Sequence, residues 1–180
     1  MAAKSIDLVQ ALQARPREPT VALLLGAYPV LVATVQRLET RWPSDETPPL
    51  LRAVPGKPAF DFEGAPTWVE FIVLRLLERA GWEGVWVKNF NGGRAFWRDI
   101  RQPVELPAMP AARFRQIEAS AGRASGCWDV FAWKGEDVLF AESKRRGSDK
   151  LNDNQLNWLA AALRVGVPLS SFAVVEWRDW

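Results

Sequence analysis

Two short β-prone runs, DVFAW at 129–133 and DVLFAESK at 137–144, are separated only by Lys134-Gly135-Glu136 before Asp137, and no other feature of the 180 residues constrains the fold so tightly. A glycine-bearing connection this short between β-formers predicts a hairpin. A symmetric turn centred on Gly135-Glu136 pairs Trp133 with Val138 and Phe131 with Phe140, and so sets Asp129 opposite Glu142. Side chains alternate along a strand, which puts Glu142 and Lys144 on one face. Three functional groups therefore converge at one end of the hairpin. Two carboxylates directly across a strand pair repel, which a purely structural pairing avoids, whereas a divalent cation between them turns repulsion into coordination. A lysine beside them suits the orientation of an attacking water and the stabilisation of charge developing on a phosphate. A one-residue slip of the turn would destroy this convergence. Taken singly, Asp129 also reads as a strand-edge turn residue and Glu142–Lys144 as a solvated charge pair.

Around the hairpin the sequence predicts an α/β domain with helices packed on a mixed sheet. PTWVEFIVLRLLERAGW, from Pro66, is a helix whose polar positions Arg75, Glu78 and Arg79 form a narrow arc, closed by Gly81. GVWVKNF follows as a strand, with a turn at Asn91-Gly92-Gly93 and a second strand from Ala95. Residues 101–112 read as proline-bearing loop and 113–121 as one or two helical turns. Residues 153–165 have helical spacing, ended by Gly166 and Pro168, and SSFAVVEW supplies a last strand. Towards the N-terminus, 5–14 and 20–41 read as helices, the second bent or split at Pro29. Prolines 43, 48, 49, 55 and 58 mark a linker. The predicted division is a helical region with linker at 1–57 and the main domain at 58–180.

Composition narrows the chemistry. The chain has no His, which removes imidazole-ligated zinc together with Ser-His-Asp and Cys-His catalysis. Carboxylates and lysine remain as catalytic groups, and they favour a hard cation, Mg²⁺ or Mn²⁺. The single Cys127 rules out an internal disulfide and fits a reducing, cytoplasmic setting. Net charge is only +2, so a nucleic-acid surface must be local. The uncharged run Val21–Val35 contains Gly26 and Pro29 and falls short of the about 20 apolar residues of a membrane span, so no membrane role is expected.

The stretch Gly126-Cys127-Trp128-Asp129, then Glu142-Ser143-Lys144, Asp149-Lys150-Leu151, Gln155, Trp158-Leu159 and Gly166 resembles the VRR-NUC (virus-type replication-repair nuclease) branch of the PD-(D/E)XK superfamily. The resemblance is close over 126–177 and looser over 60–177. It implies a restriction-endonuclease-like core and hydrolysis of DNA with Mg²⁺ or Mn²⁺. It also implies metal binding by Asp129 and Glu142, assistance to the water by Lys144, and a place in the site for Gln155. Trp128 stands where the family usually has Pro.

Four further assignments surround this trio. Gln155 belongs to an apolar stripe with Trp158, Leu159, Ala162 and Leu163, and it reads equally as a site residue or as a local cap. Glu70 faces the apolar side of its helix as a further metal ligand, or else closes a Thr67-x-x-Glu70 capping box. The Ser143 side chain points away from Glu142 and Lys144, leaving its carbonyl as a group that could face a metal. Arg145, Arg146, Lys150 and Arg123 are the candidate nucleic-acid contacts, within a wider basic set of Arg94, Arg98, Arg101, Arg113, Arg115 and Arg164. A nuclease acting on DNA is the leading expectation. A binding module that keeps the fold without turnover is the second, and residues 1–57 are expected to serve oligomerisation or a larger complex.

Overall fold

The structure is a computed structural model that describes residues 14–17, 31–35, 57–88, 94–122, 126–145, 147 and 149–177. Its centre is the predicted hairpin, β8 (Val130–Lys134) and β9 (Asp137–Arg145), joined through Gly135 at φ 60°. That left-handed φ at the first turn residue is what a two-residue hairpin asks of glycine. The register follows, with Trp133 opposite Val138, Phe131 opposite Phe140 and Val130 opposite Ala141.

β8 pairs on its other side with β5 (Glu83–Lys88), which leads antiparallel to β6 (Ala95–Trp97) and then to β7 (Pro103–Val104). β9 pairs in parallel with β10 (Phe172–Trp177). Beyond β10 lie β2 (Leu31–Val35), parallel to it, and β1 (Ala14–Arg17), antiparallel to β2. The result is a mixed sheet in the order β1-β2-β10-β9-β8-β5-β6-β7. A separate hairpin, β3 (Phe60–Phe62) and β4 (Ala65–Thr67), precedes the first helix and seats Phe60 edge-on against Trp177.

Alternation along the central strands sorts their side chains into two cores. On one face Val130, Ala132, Leu139 and Ala141 pack beneath α1 (Val69–Arg79), which contributes Phe71, Leu74 and Leu77. On the other, Phe131, Phe140 and Phe172 form a stacked aromatic row. This row is covered by α2 (Ala108–Ala121) and α3 (Asp153–Arg164) through Phe114, Trp158 and Leu159. The sheet is thus flanked by helices on both faces, as the sequence predicts, and Gly81 ends α1 at φ 80°.

Three expectations change. Leu31–Val35, assigned to a helix, is a strand, and Ala14 opens another; LVATV is rich in β-branched residues that fit a pleated surface better than a helix. The helical reading of the N-terminal region is corrected at these positions, and the rest of 1–56 lies outside the described residues. Helix α2 starts at Ala108, five residues before the predicted turns. Pro107 takes the N-cap and Pro110 the first turn, where a missing N–H costs nothing, so prolines read as loop are a helix start. The capping box at Thr67 is absent: Thr67 is still in β4, Trp68 is the N-cap, and no side chain caps α1. The Asn91-Gly92-Gly93 turn lies outside the described residues. Among those described, no helix is long and apolar enough to cross a membrane.

Candidate active site

Asp129 sits one residue before β8, opposite Glu142, where the two strands exchange carboxylate contacts instead of the usual carbonyl ladder. The Asp129 amide donates to Glu142 Oε2 at 3.0 Å, and the Ser143 amide donates to Asp129 Oδ2 at 3.0 Å. On its other side the Asp129 carbonyl accepts from the Val87 amide at 2.7 Å, so this residue is fixed from both neighbouring strands.

The Gly126–Trp128 approach is built to deliver it. Gly126, at φ 99°, passes so close to the first turn of α3 that a Cβ there would lie 2.2 Å from the Asn154 carbonyl oxygen. Trp128 is fully buried, packs edge-on against Phe172 and donates its indole N–H to the Gln155 carbonyl at 3.2 Å. Where the resembled family usually has proline, this chain ties the loop to α3 with an indole.

Glu142, 2 % exposed, lies on the α3 face of the sheet. Its Oε1 accepts from Lys144 Nζ at 2.9 Å and from the Gln155 side-chain amide. Gln155 caps its helix and also reaches Glu142. Its Oε1 accepts from the Asn152 amide at 3.0 Å while its own amide donates to Asn152 Oδ1 at 3.0 Å, a reciprocal capping box, and its Nε2 is left for Glu142.

Glu70 approaches from the opposite face. It is 6 % exposed on the first turn of α1, with Lys57 Nζ 2.7 Å from Oε1. The Ser143 hydroxyl lies between the faces, 2.7 Å from Asp129 Oδ2 and 3.3 Å from Glu70 Oε1. Ser143 does point away from Glu142, as alternation requires, but that direction leads into the acidic cluster. The side chain, as well as the carbonyl, therefore belongs to this end of the sheet.

The electrostatics follow from burial. Loss of water, with repulsion from Asp129 added, pushes the Glu142 carboxyl up to about 8 against the pull of Lys144. Burial also raises Glu70 above the usual carboxylate range, opposed by Lys57 and reinforced by Asp129. The Cys127 thiol is buried and pushed well above its ordinary value by desolvation, which leaves it a packing residue.

Among the described residues no three His, Cys, Asp or Glu groups form a ready-made metal cage. The donor chemistry nevertheless fits a hard cation. Glu70, Asp129 and Glu142 supply only oxygen, and Glu70 Oε2 is buried without a hydrogen-bond partner. An orphaned carboxylate oxygen of this kind is costly, and a cation bound there would offset that cost.

Of the candidate nucleic-acid contacts, Arg145, the last residue of β9, and Lys150, beyond it, are exposed, and the Arg145 amide donates to Asp149 Oδ2 at 2.8 Å. Arg123 and Arg146 lie outside the described residues. Several arginines of the wider basic set serve packing: Arg94 pairs with Glu118, Arg98 with Glu78, and Arg164 ties α3 to Ser120 of α2. Lys57 carried no sequence signal, since it stands between Pro55 and Pro58 in a stretch without periodicity. Comparison with protein-family models, curated proteins and solved structures finds no match for this chain.

Proposed function

We propose that the chain is a metal-dependent nuclease of the PD-(D/E)XK type, hydrolysing DNA phosphodiester bonds. The observation that carries this reading is the pair Asp129 and Glu142, held together at the end of the sheet with Lys144 on Glu142. In a merely structural role this pairing of a buried carboxylate with a half-buried one is unfavourable. The resemblance of 126–177 to the VRR-NUC branch supports the same chemistry.

Asp129 and Glu142, with Glu70 through its free Oε2, would hold Mg²⁺ or Mn²⁺. Such an ion supplies charge neutralisation and polarisation of a phosphoryl oxygen. The chain's own residues do the rest. Gln155 and Lys144 fix Glu142 from two directions, so its carboxylate is oriented before substrate arrives. Lys144 places a positive charge beside the carboxylates, where it can orient water and offset charge gathering on a phosphate. Arg145 and Lys150, exposed on the flank, suit backbone phosphates of DNA.

Single-stranded, duplex and branched DNA incubated with Mg²⁺ or Mn²⁺ provides the test. Cleavage is expected from the parent protein. Asp129→Ala, Glu142→Ala and Lys144→Ala should each lower it by about 100-fold or more, the scale of losing a principal electrostatic group. No cleavage of any form, or variants as active as the parent, would sink the proposal. The engagement of all three carboxylates by internal donors favours a second reading, a DNA-binding module without turnover. Metal-indifferent binding without cleavage would select it.

A further inference from the structure

Lys57 lies just before β3, and its ammonium reaches the buried first turn of α1. It stands 2.7 Å from Glu70 Oε1, and 4.8 Å from the ring centroids of both Trp68 and Trp86. Two indole faces and a carboxylate hold this cation in one place. The side chain is only 19 % exposed, so water offers little competition for it. Glu70 Oε1 also faces the Ser143 hydroxyl at 3.3 Å, while Oε2 of the same carboxylate is buried with no partner. The two oxygens of Glu70 therefore differ: Oε1 is engaged by Lys57 and Ser143, and Oε2 has no hydrogen-bond partner.

We infer that Lys57 is a positioning residue that clamps Glu70 through Oε1, so that Glu70 offers a divalent cation one oxygen, Oε2, in a fixed direction. The inference rests on the nuclease reading for the presence of a cation and adds a residue that reading does not contain. An alternative role for the same lysine is a resident competitor that a divalent ion must displace. Geometry favours the clamp, because the indole pair holds the ammonium independently of Glu70, and because the unpartnered oxygen is the one Lys57 does not touch. The two roles predict opposite signs for the effect on metal affinity.

Mn²⁺ binding, measured by electron paramagnetic resonance and calorimetry on the full chain, separates them. Lys57→Met is expected to weaken Mn²⁺ binding about tenfold, the scale seen when a partner of a metal-ligating group is removed. In the Glu70→Gln background the same substitution should have no further effect, because Lys57 acts through Glu70. Circular dichroism monitors the fold. If Lys57→Met does not fold, Lys57→Gln takes its place and should weaken binding severalfold. Unchanged or tighter binding, or equal weakening with and without Glu70, would overturn the clamp. Failure of the parent to bind Mn²⁺ would overturn both the clamp and the metal-dependent reading. Mn²⁺ binding that responds to Lys57 but brings no DNA cleavage would overturn the nuclease reading alone and leave the clamp standing.

Discussion

A carboxyl group such as that of Glu142, carried almost wholly out of water, ties the stability of the metal-free protein to pH. Its ordinary value is 4.5 and its folded value about 8. Between these limits the unfolded chain has released a proton that the folded chain retains, so unfolding becomes easier as pH rises. The contribution is full below about pH 4.5, shrinks at up to about 1.4 kcal/mol per pH unit, and is gone above about pH 8. Glu70, raised in the same sense, adds to the slope. Urea unfolding in the presence of a chelator at pH 5, 6.5 and 8 should show this decline. Glu142→Gln, neutral at every pH, should flatten it and be the more stable form at pH 8; a parallel decline in the variant would show that the slope arises elsewhere.

Elements explain which of these groups were legible in the sequence. The hairpin was, because a two-residue turn fixes register, and register alone brings Asp129 to Glu142. Gln155 was legible as an amide in an apolar stripe, whereas its simultaneous contacts with the Asn152 N–H and with Glu142 depend on the capping geometry. For Ser143 the sequence gives the direction of the side chain but not what it meets. Alternation gives a face, and nothing local says that Glu70 arrives on that face from α1 or that the Asp129 carboxylate turns back across the strand end. Lys57 was illegible, since its contacts with Trp68 and Trp86 depend on tertiary approach. The start of α2 was hidden by prolines that mark a loop or a first helical turn equally well. The loop before β8 carries a prediction at this scale. Gly126→Ala combines a positive φ with a Cβ 2.2 Å from the Asn154 carbonyl oxygen, and backbone cannot yield as a side-chain tip does. A loss of about 2–4 kcal/mol is expected in denaturant unfolding. Cleavage should fall with it because Asp129 is carried on the displaced loop; an unperturbed variant would contradict the close approach.

For the whole molecule, the sheet is both the core and the frame on which the two halves of the site meet. Lys57, Glu70 and Ser143 belong to the α1 side, Glu142, Lys144 and Gln155 to the α3 side, with Asp129 at the strand end between them. The frame extends to β2, whose residues 31–34 run beside 173–176 of β10. A chain lacking residues 1–35 should therefore leave β10 as an open edge, a template for pairing with other copies. Light scattering after size exclusion should find the shortened chain associated relative to the full one; an unchanged size distribution would show that the edge is protected by other means. From helix α3 itself, the side-chain contact to Glu142 is made by the amide of Gln155. That amide must accept from the Asn152 N–H and donate to a carboxylate at once. Glutamate would keep the acceptor but turn a negative group towards Glu142, lysine or arginine would meet Glu142 but leave the Asn152 N–H unanswered, and asparagine is a methylene short of the reach. Of the twenty amino acids, position 155 leaves evolution almost no synonyms.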